Sequence, residues 1–182
     1  PSRDQAAAQY QKALALIRQF QKEKSATAFE VYLDYAILLI RQHKYEMALS
    51  MLQEAQRIAA EIYPSDHSAN SRLTLVFGEL FFELGQYQAA VDSTRKALAS
   101  QQKILQSKSR FTAAIHNQLG SHLADQGIVE EALEQFQLGL LNTCINFEDT
   151  NVYSHPSPGA MTFSANRVTI LLLNKALVFY HQ

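Results

Sequence analysis

GELFFELGQYQAAVDSTRKAL, residues 78–98, places Gly78 and Gly85 seven residues apart, and Gly120 and Gly127 repeat that spacing 42 residues further on. Stepping by 42 aligns the rest of the chain. Ala6, Ala48, Ala90 and Ala132 form one series, and Ala13, Ala55, Ala97 and Gly139 a second. Tyr10, Leu52, Thr94 and Phe136 fill a third, usually bulky position. Ala36, Gly78 and Gly120 form a fourth, followed three residues later by Leu39, Phe81 and Leu123. Self-similarity at a fixed period of this length is the mark of a repeat array, each unit burying its apolar face against the next.

Within each period, apolar residues recur at spacings of three and four in two blocks, the helical periodicity. The blocks are separated by short polar turns: RQHKY at 41–45, ELGQY at 83–87 and ADQGI at 124–128. Each unit therefore reads as a helical hairpin. A glycine inside a helix costs about 1 kcal/mol relative to alanine, so Gly78 and Gly120 are expected where the partner helix comes close. Composition agrees with an all-α chain: 24 Ala, 23 Leu and 18 Gln in 182 residues, against six Gly and four Pro. Proline is absent between Pro64 and Pro156, and no Asn-Gly or Asp-Gly pair occurs. The turn chemistry of a β-sandwich is missing.

Sixteen Lys and Arg against 17 Asp and Glu give a formal net charge of -1, which lacks the basic excess that neutralising phosphates demands. Nucleic acid is not an expected partner. The single cysteine, Cys144, cannot form an internal disulfide, and no apolar run has the length of a membrane span. An intracellular, cytoplasmic protein that does not enter a membrane is predicted, and the opening PSRDQAAAQY suggests an excised fragment or processed product.

A small residue, an aromatic or Leu, Gly-x-Tyr, and then Ala, bulky and Ala at helical spacing resembles the tetratricopeptide repeat. GELFFELGQYQAAVDSTRKAL (78–98) carries the pattern best. KYEMALSMLQEAQRIAAEIYPSDHS (44–68) is similar to the longer repeats of kinesin light chain, with a comparable linker at Pro64, Asp66 and His67. The departures are His43 at the turn glycine, Val129 at the turn tyrosine, Thr94 at a bulky position and Gly139 at an alanine. A 42-residue period also suits HEAT or armadillo arrays, which rely on Pro-kinked or three-helix units.

The resemblance implies a right-handed superhelical solenoid of antiparallel hairpins with about eight helices. The register divides the chain into the second helix of a truncated repeat (3–22), repeats at 26–63, 68–106 and 110–146, a loop insertion at 147–161, and the first helix of a truncated repeat at 162–182. The insertion, rich in Pro, Ser and Asn, is expected to project as a mobile loop. Apolar faces of the end helices (Leu14, Ile17, Phe20; Leu173, Leu177) are expected to be partly uncovered and to allow self-association.

No catalytic constellation emerges. His116 and His122 lie six apart on one helix, on different sides, and cannot ligate one metal. Cys144 has no neighbouring base, and Ser65, Asp66, His67 and Ser68 are consecutive and cannot converge. Asp66 reads as a helix N-cap. An enzyme is not predicted, nor a cofactor or metal.

In hairpin arrays of this kind the first helices line the concave face. The register then puts Glu30, Asp34, Ile37 and Arg41 on it, followed by Arg72, Val76, Glu79 and Glu83, then Ala114, Asn117, Gln118, Ser121 and Asp125, and finally Asn174, Leu177 and His181. Leu33, Leu75, Ile40, Phe82 and Tyr180 are expected to flank the stripe with apolar surface. Five acids against two arginines give the stripe a local charge of -3. A protein or peptide partner with basic residues and apolar anchors fits such a face. The chaperone-binding subtype is excluded because Leu33 and Ile37 replace its Lys and Asn clamp. The other open reading is a structural spacer or oligomerisation segment without its own ligand.

Overall fold

The computed structural model describes residues 3–20, 22–104, 108–144, 147–154, 156, 174, 175 and 178. The two apolar blocks of each period form α1 (Arg3–Gln19), α2 (Ala26–Ile40), α3 (Tyr45–Ile62), α4 (Ser68–Glu83), α5 (Tyr87–Ile104), α6 (Arg110–Asp125) and α7 (Val129–Thr143). No strand occurs among the described residues. Asn174, Lys175 and Val178 are also helical; the rest of the helix expected over 162–182, with Tyr180, Leu177 and His181, lies outside the described residues.

The three turns share one mechanism. His43 N–H donates to Ile40 O and Lys44 N–H to Leu39 O, at 2.9 and 3.0 Å. Gly85 and Gln86 repeat these bonds on Phe82 O and Phe81 O, and Gly127 and Ile128 on Ala124 O and Leu123 O, all at 2.9 Å. This nested pair satisfies the last helical carbonyls and needs a left-handed residue just past the cap. Gly85 and Gly127 take φ of 73° and 74°, and His43 takes 57°. A side chain strains that conformation, so His43→Gly is expected to stabilise by about 0.5–1 kcal/mol in urea unfolding. Unchanged or lower stability would contradict it.

The starts of α2 and α6 are fixed by side-chain caps: Ser25 Oγ accepts from Ala28 N–H at 3.1 Å, and Ser109 Oγ from Phe111 N–H at 3.2 Å. Before α4 the cap is His67, whose Nδ1 accepts from Ala69 N–H at 3.1 Å, and not Asp66. His67 also stacks on Tyr63 with centroids 4.2 Å apart. That contact gives the ring an apolar anchor a carboxylate lacks.

Two compact units, Pro1–Ser93 and Thr94–Gln182, divide the chain. In the first, α2 packs on α3, α1 on α2 and α3 on α4. Ala48, Leu52, Ala55 and Ile58 are fully buried there, and burial of a side chain like Leu52 or Ile58 is worth about 1.5–3 kcal/mol. Their register equivalents in α1 fare differently: Ala6, Tyr10 and Ala13 are half-buried, and Leu16 is 52% exposed. The large apolar residues left uncovered here are Leu16 on α1 and Phe20 just past its end; Leu14 and Ile17, also expected to be uncovered, are buried in the core with residues of α2.

In the second unit, α6 packs on α7. A Cβ built on Gly120 would lie 2.6 Å from Cε1 of Phe136, so the glycine stands where the two helices touch, as the sequence predicts. The connection after α7 does not simply project. Lys108 Nζ donates to the carbonyls of Cys144 and Phe147, both at 3.2 Å. Gln137 Nε2 donates to Asp149 O, and Lys175 Nζ to Gln137 Oε1 and, at 2.9 Å, to Ser154 O. Ser154 Oγ and Asn151 N–H close on the Asp149 carboxylate at 2.6 and 2.9 Å. Phe147 is buried with them. His155 and residues 157–161 lie outside the described residues. Sequence patterning missed this clip because its anchor, Lys175, is a buried lysine 38 residues from its acceptor Gln137. Burial pulls its ammonium down to about 8, with Asp149 opposing. Deletion of residues 150–154 is expected to lower the melting temperature by several degrees; no change would restore the passive loop.

Candidate functional site

The first-helix stripe of the first unit runs along α2 and α4, which touch. Arg72 Nη1 donates to both oxygens of Glu30, at 2.6 and 2.8 Å, linking residues one repeat apart. Arg72 Nη2 lies 4.0 Å from Asp34 Oδ1. Burial and Glu30 raise the Asp34 carboxyl above its ordinary range, against the pull of Arg72. Glu79 is raised as well, first by burial and then by Glu83, with Arg41 opposing. Glu83 accepts from the Tyr45 hydroxyl at 2.9 Å, and His43 Nδ1 stands 3.9 Å away. All four acids therefore face a cation or a donor. The stripe keeps its formal excess of acids, but little of that charge is left unmatched in this unit.

Its apolar residues divide. Ile37, Leu75 and Phe82 are half-buried, and Phe82 meets Tyr87 edge to face at 5.4 Å. Leu33, Ile40 and Val76, expected on or beside the stripe, are buried at 0%, 2% and 7% exposure and belong to the core. Each lies one helical step too far toward the packed side. Ionised Glu79 is held at a cost set by burial, so its folded pKa exceeds the unfolded one. Glu79→Gln is expected to raise the melting temperature at neutral pH, with the gain vanishing below the ordinary carboxylate range, where both states hold the proton. A loss at pH 7 would mean that the Arg41 attraction outweighs burial.

In the second unit, Ser121 Oγ donates to Asn117 O at 3.0 Å and Asn174 Nδ2 to Asn117 Oδ1 at 2.9 Å, joining α6 to the following helical segment. Gln118 is half-buried and Asp125 exposed on the same helix. A cavity of about 460 Å³ opens here, lined by Ser121, Ala124, Asp125, Val129, Phe136, Asn174 and Val178. Ser121, Asp125 and Asn174 are thus brought together as the register implies.

His116 and His122 are structural. His116 is buried with Nδ1 2.8 Å from Gln135 Oε1, and His122 is buried with Nδ1 3.4 Å from Thr94 Oγ1. Cys144 is buried, and burial pushes its thiol up, away from the reactive thiolate. Among the described residues no group of three or more His, Cys, Asp and Glu side chains is placed to hold a metal ion. No helix there is long and apolar enough to cross a membrane.

Residues 27–103 match the family model described as Tetratricopeptide repeat. That segment, under half of the chain, is similar to tetratricopeptide repeats. Among solved structures it is similar to the nearly identical TPR-like repeats of a Podosopora anserina protein provisionally assigned as a kinesin light chain, with a TM-score of 0.65 at 16% identity over 98% of this chain and 88% of that one. A point variant of that protein gives the same score and identity, over 98% and 87%. At this identity the likeness speaks for the fold. A comparison with curated protein sequences finds no match.

Within the 42-residue register, Val129 takes the place held by Tyr45 and Tyr87 in the preceding repeats. Val129 lines the cavity, whereas Tyr87 at the equivalent position is 47% exposed and meets Phe82 edge to face. The cavity's apolar residues Ala124, Val129, Phe136 and Val178 were absent from the predicted site.

Proposed function

We propose that this chain is a protein–protein interaction module that binds a peptide or partner protein along the exposed faces of its first helices. In a longer cytoplasmic protein it would serve scaffolding or autoregulation. The observation that carries the reading is the mixed character of those faces. Ile37, Leu75 and Phe82 stay half-buried beside Glu30, Asp34, Arg41, Arg72, Glu79 and Glu83 in one unit, and Ser121, Asp125 and Asn174 line a cavity in the other, with Asn117 and Gln118 further along α6. A merely solvated face needs neither partly covered apolar side chains nor a cavity. Paired charges in the first unit shift the expected recognition there toward apolar anchoring and hydrogen bonding, with ionic attraction secondary.

Short peptides selected from a random display library test this. Their affinity for the protein is expected to fall on Asp34→Arg or Ser121→Arg, which place bulk and charge on the two faces, and to be unaffected by Met47→Arg on the exposed side of α3. Failure to select any peptide, or the reverse sensitivity, would favour a structural spacer.

A further inference from the structure

Of the five acids on the predicted stripe, four are engaged: Glu30 by Arg72, Asp34 near the same guanidinium, Glu79 by Arg41, and Glu83 by Tyr45 and His43. Asp125 differs. It is exposed, and among the described residues no cation or hydrogen-bond donor meets its carboxylate. It also stands on the cavity of about 460 Å³, a size within the range of ligand sites. The deeper wall is apolar, built from Phe136, which is 1% exposed, with Val129 and Val178. The other polar lining side chains, Ser121 and Asn174, donate to Asn117, and the cation described on the following helical segment, Lys175, is buried against Gln137 and Ser154. The site thus combines an oily wall with one unmatched negative charge. A long aliphatic stem with a cationic head satisfies both.

We infer that this cavity is the subsite for one basic side chain, arginine or lysine, of a bound peptide, its stem against Val129, Phe136 and Val178 and its head at Asp125. The inference rests on the peptide-binding reading and names the residue that the second unit selects. A residue within a peptide fits better than a free polar metabolite, because the wall is largely apolar and Asp125 alone presents a charge among the described lining residues. Val129 on its wall stands where the preceding repeats hold Tyr45 and Tyr87.

The test is a titration of the ¹⁵N-labelled chain, followed by backbone amide NMR, with capped Ala-Ala-X-Ala-Ala peptides at millimolar concentration, where X is arginine, lysine, citrulline or norleucine. Shifts are expected at Ser121, Ala124, Asp125, Val129 and Val178. Arginine and lysine should bind about three- to fivefold more tightly than isosteric, neutral citrulline, the range of an exposed ion pair. Asp125→Asn, a surface change that leaves the rest of the spectrum in place, should erase the difference, as should high salt. Equal affinity for arginine and citrulline, preference for norleucine, or shifts only elsewhere would overturn the inference. The display-selected peptides and the Asp34→Arg variant still report on the wider face, so the subsite can fail while the binding reading stands.

Discussion

Gly120→Ala is expected to destabilise the second unit by about 1–2 kcal/mol, although alanine is the better helix former. The added Cβ would meet Cε1, Cδ1 and Cζ of Phe136 at 2.6, 2.8 and 3.0 Å. That ring is 1% exposed and cannot swing into solvent. Overpacking of this kind costs about 1–3 kcal/mol, and the helix propensity gained offsets at most about 1. The first repeat supplies the rescue. There the equivalent positions are Ala36 and Leu52, both fully buried, so alanine is compatible with a leucine opposite. Gly120→Ala with Phe136→Leu should therefore recover much of the loss, measured as a coupling in a double-mutant cycle. Additive effects, or a Gly120→Ala variant as stable as the parent, would show that the helices do not meet at this point.

The largest expected pH effect comes from His122. Burial lowers its pKa from 6.5 to about 4, and His116 is lowered too, by burial against the opposing hydrogen bond it makes to Gln135 Oε1. A histidine whose folded pKa lies below its unfolded value leaves the unfolded chain holding more protons in between, so stability falls as pH drops. His122 alone accounts for up to about 3 kcal/mol lost between pH 6.5 and 4. The raised carboxyls of Asp34 and Glu79 act in the opposite sense toward the acid end, which makes the comparison with His122→Gln the useful one. Urea unfolding should show the parent losing about 3 kcal/mol more than the variant over that interval. Parallel pH profiles would mean that His122 is protonated in the folded state.

The repeat was legible because its punctuation is chemical. A glycine that permits positive φ and a small residue at a helix contact recur at 42 residues, and the turns at His43, Gly85 and Gly127 follow them. His43 shows the limit of composition, since it adopts the glycine conformation while being a histidine. The site was legible only as a list of positions. Periodicity places Arg72 on the stripe but cannot tell that its guanidinium reaches back to Glu30, because that depends on the rotamer and on the approach of α4 to α2. Leu33 and Ile40 were misplaced for a related reason: positions one helical step apart differ by about 100° around the axis, enough to move a side chain from surface to core. Lys175 was invisible because its acceptors are Gln137 on α7 and Ser154 in a loop whose path follows from hydrogen bonds and not from patterning.

Hydrogen–deuterium exchange of the whole chain, with and without a display-selected peptide at saturation, tests the central claim most directly. Peptide-dependent protection is expected on α2, α4 and α6, in segments containing Asp34 and Ile37, Leu75 and Glu79, and Ser121 and Asp125. Protection confined to α3 and α7, around the exposed Met47, Leu49 and Leu138, or to the 147–154 connection, would contradict a first-helix binding face.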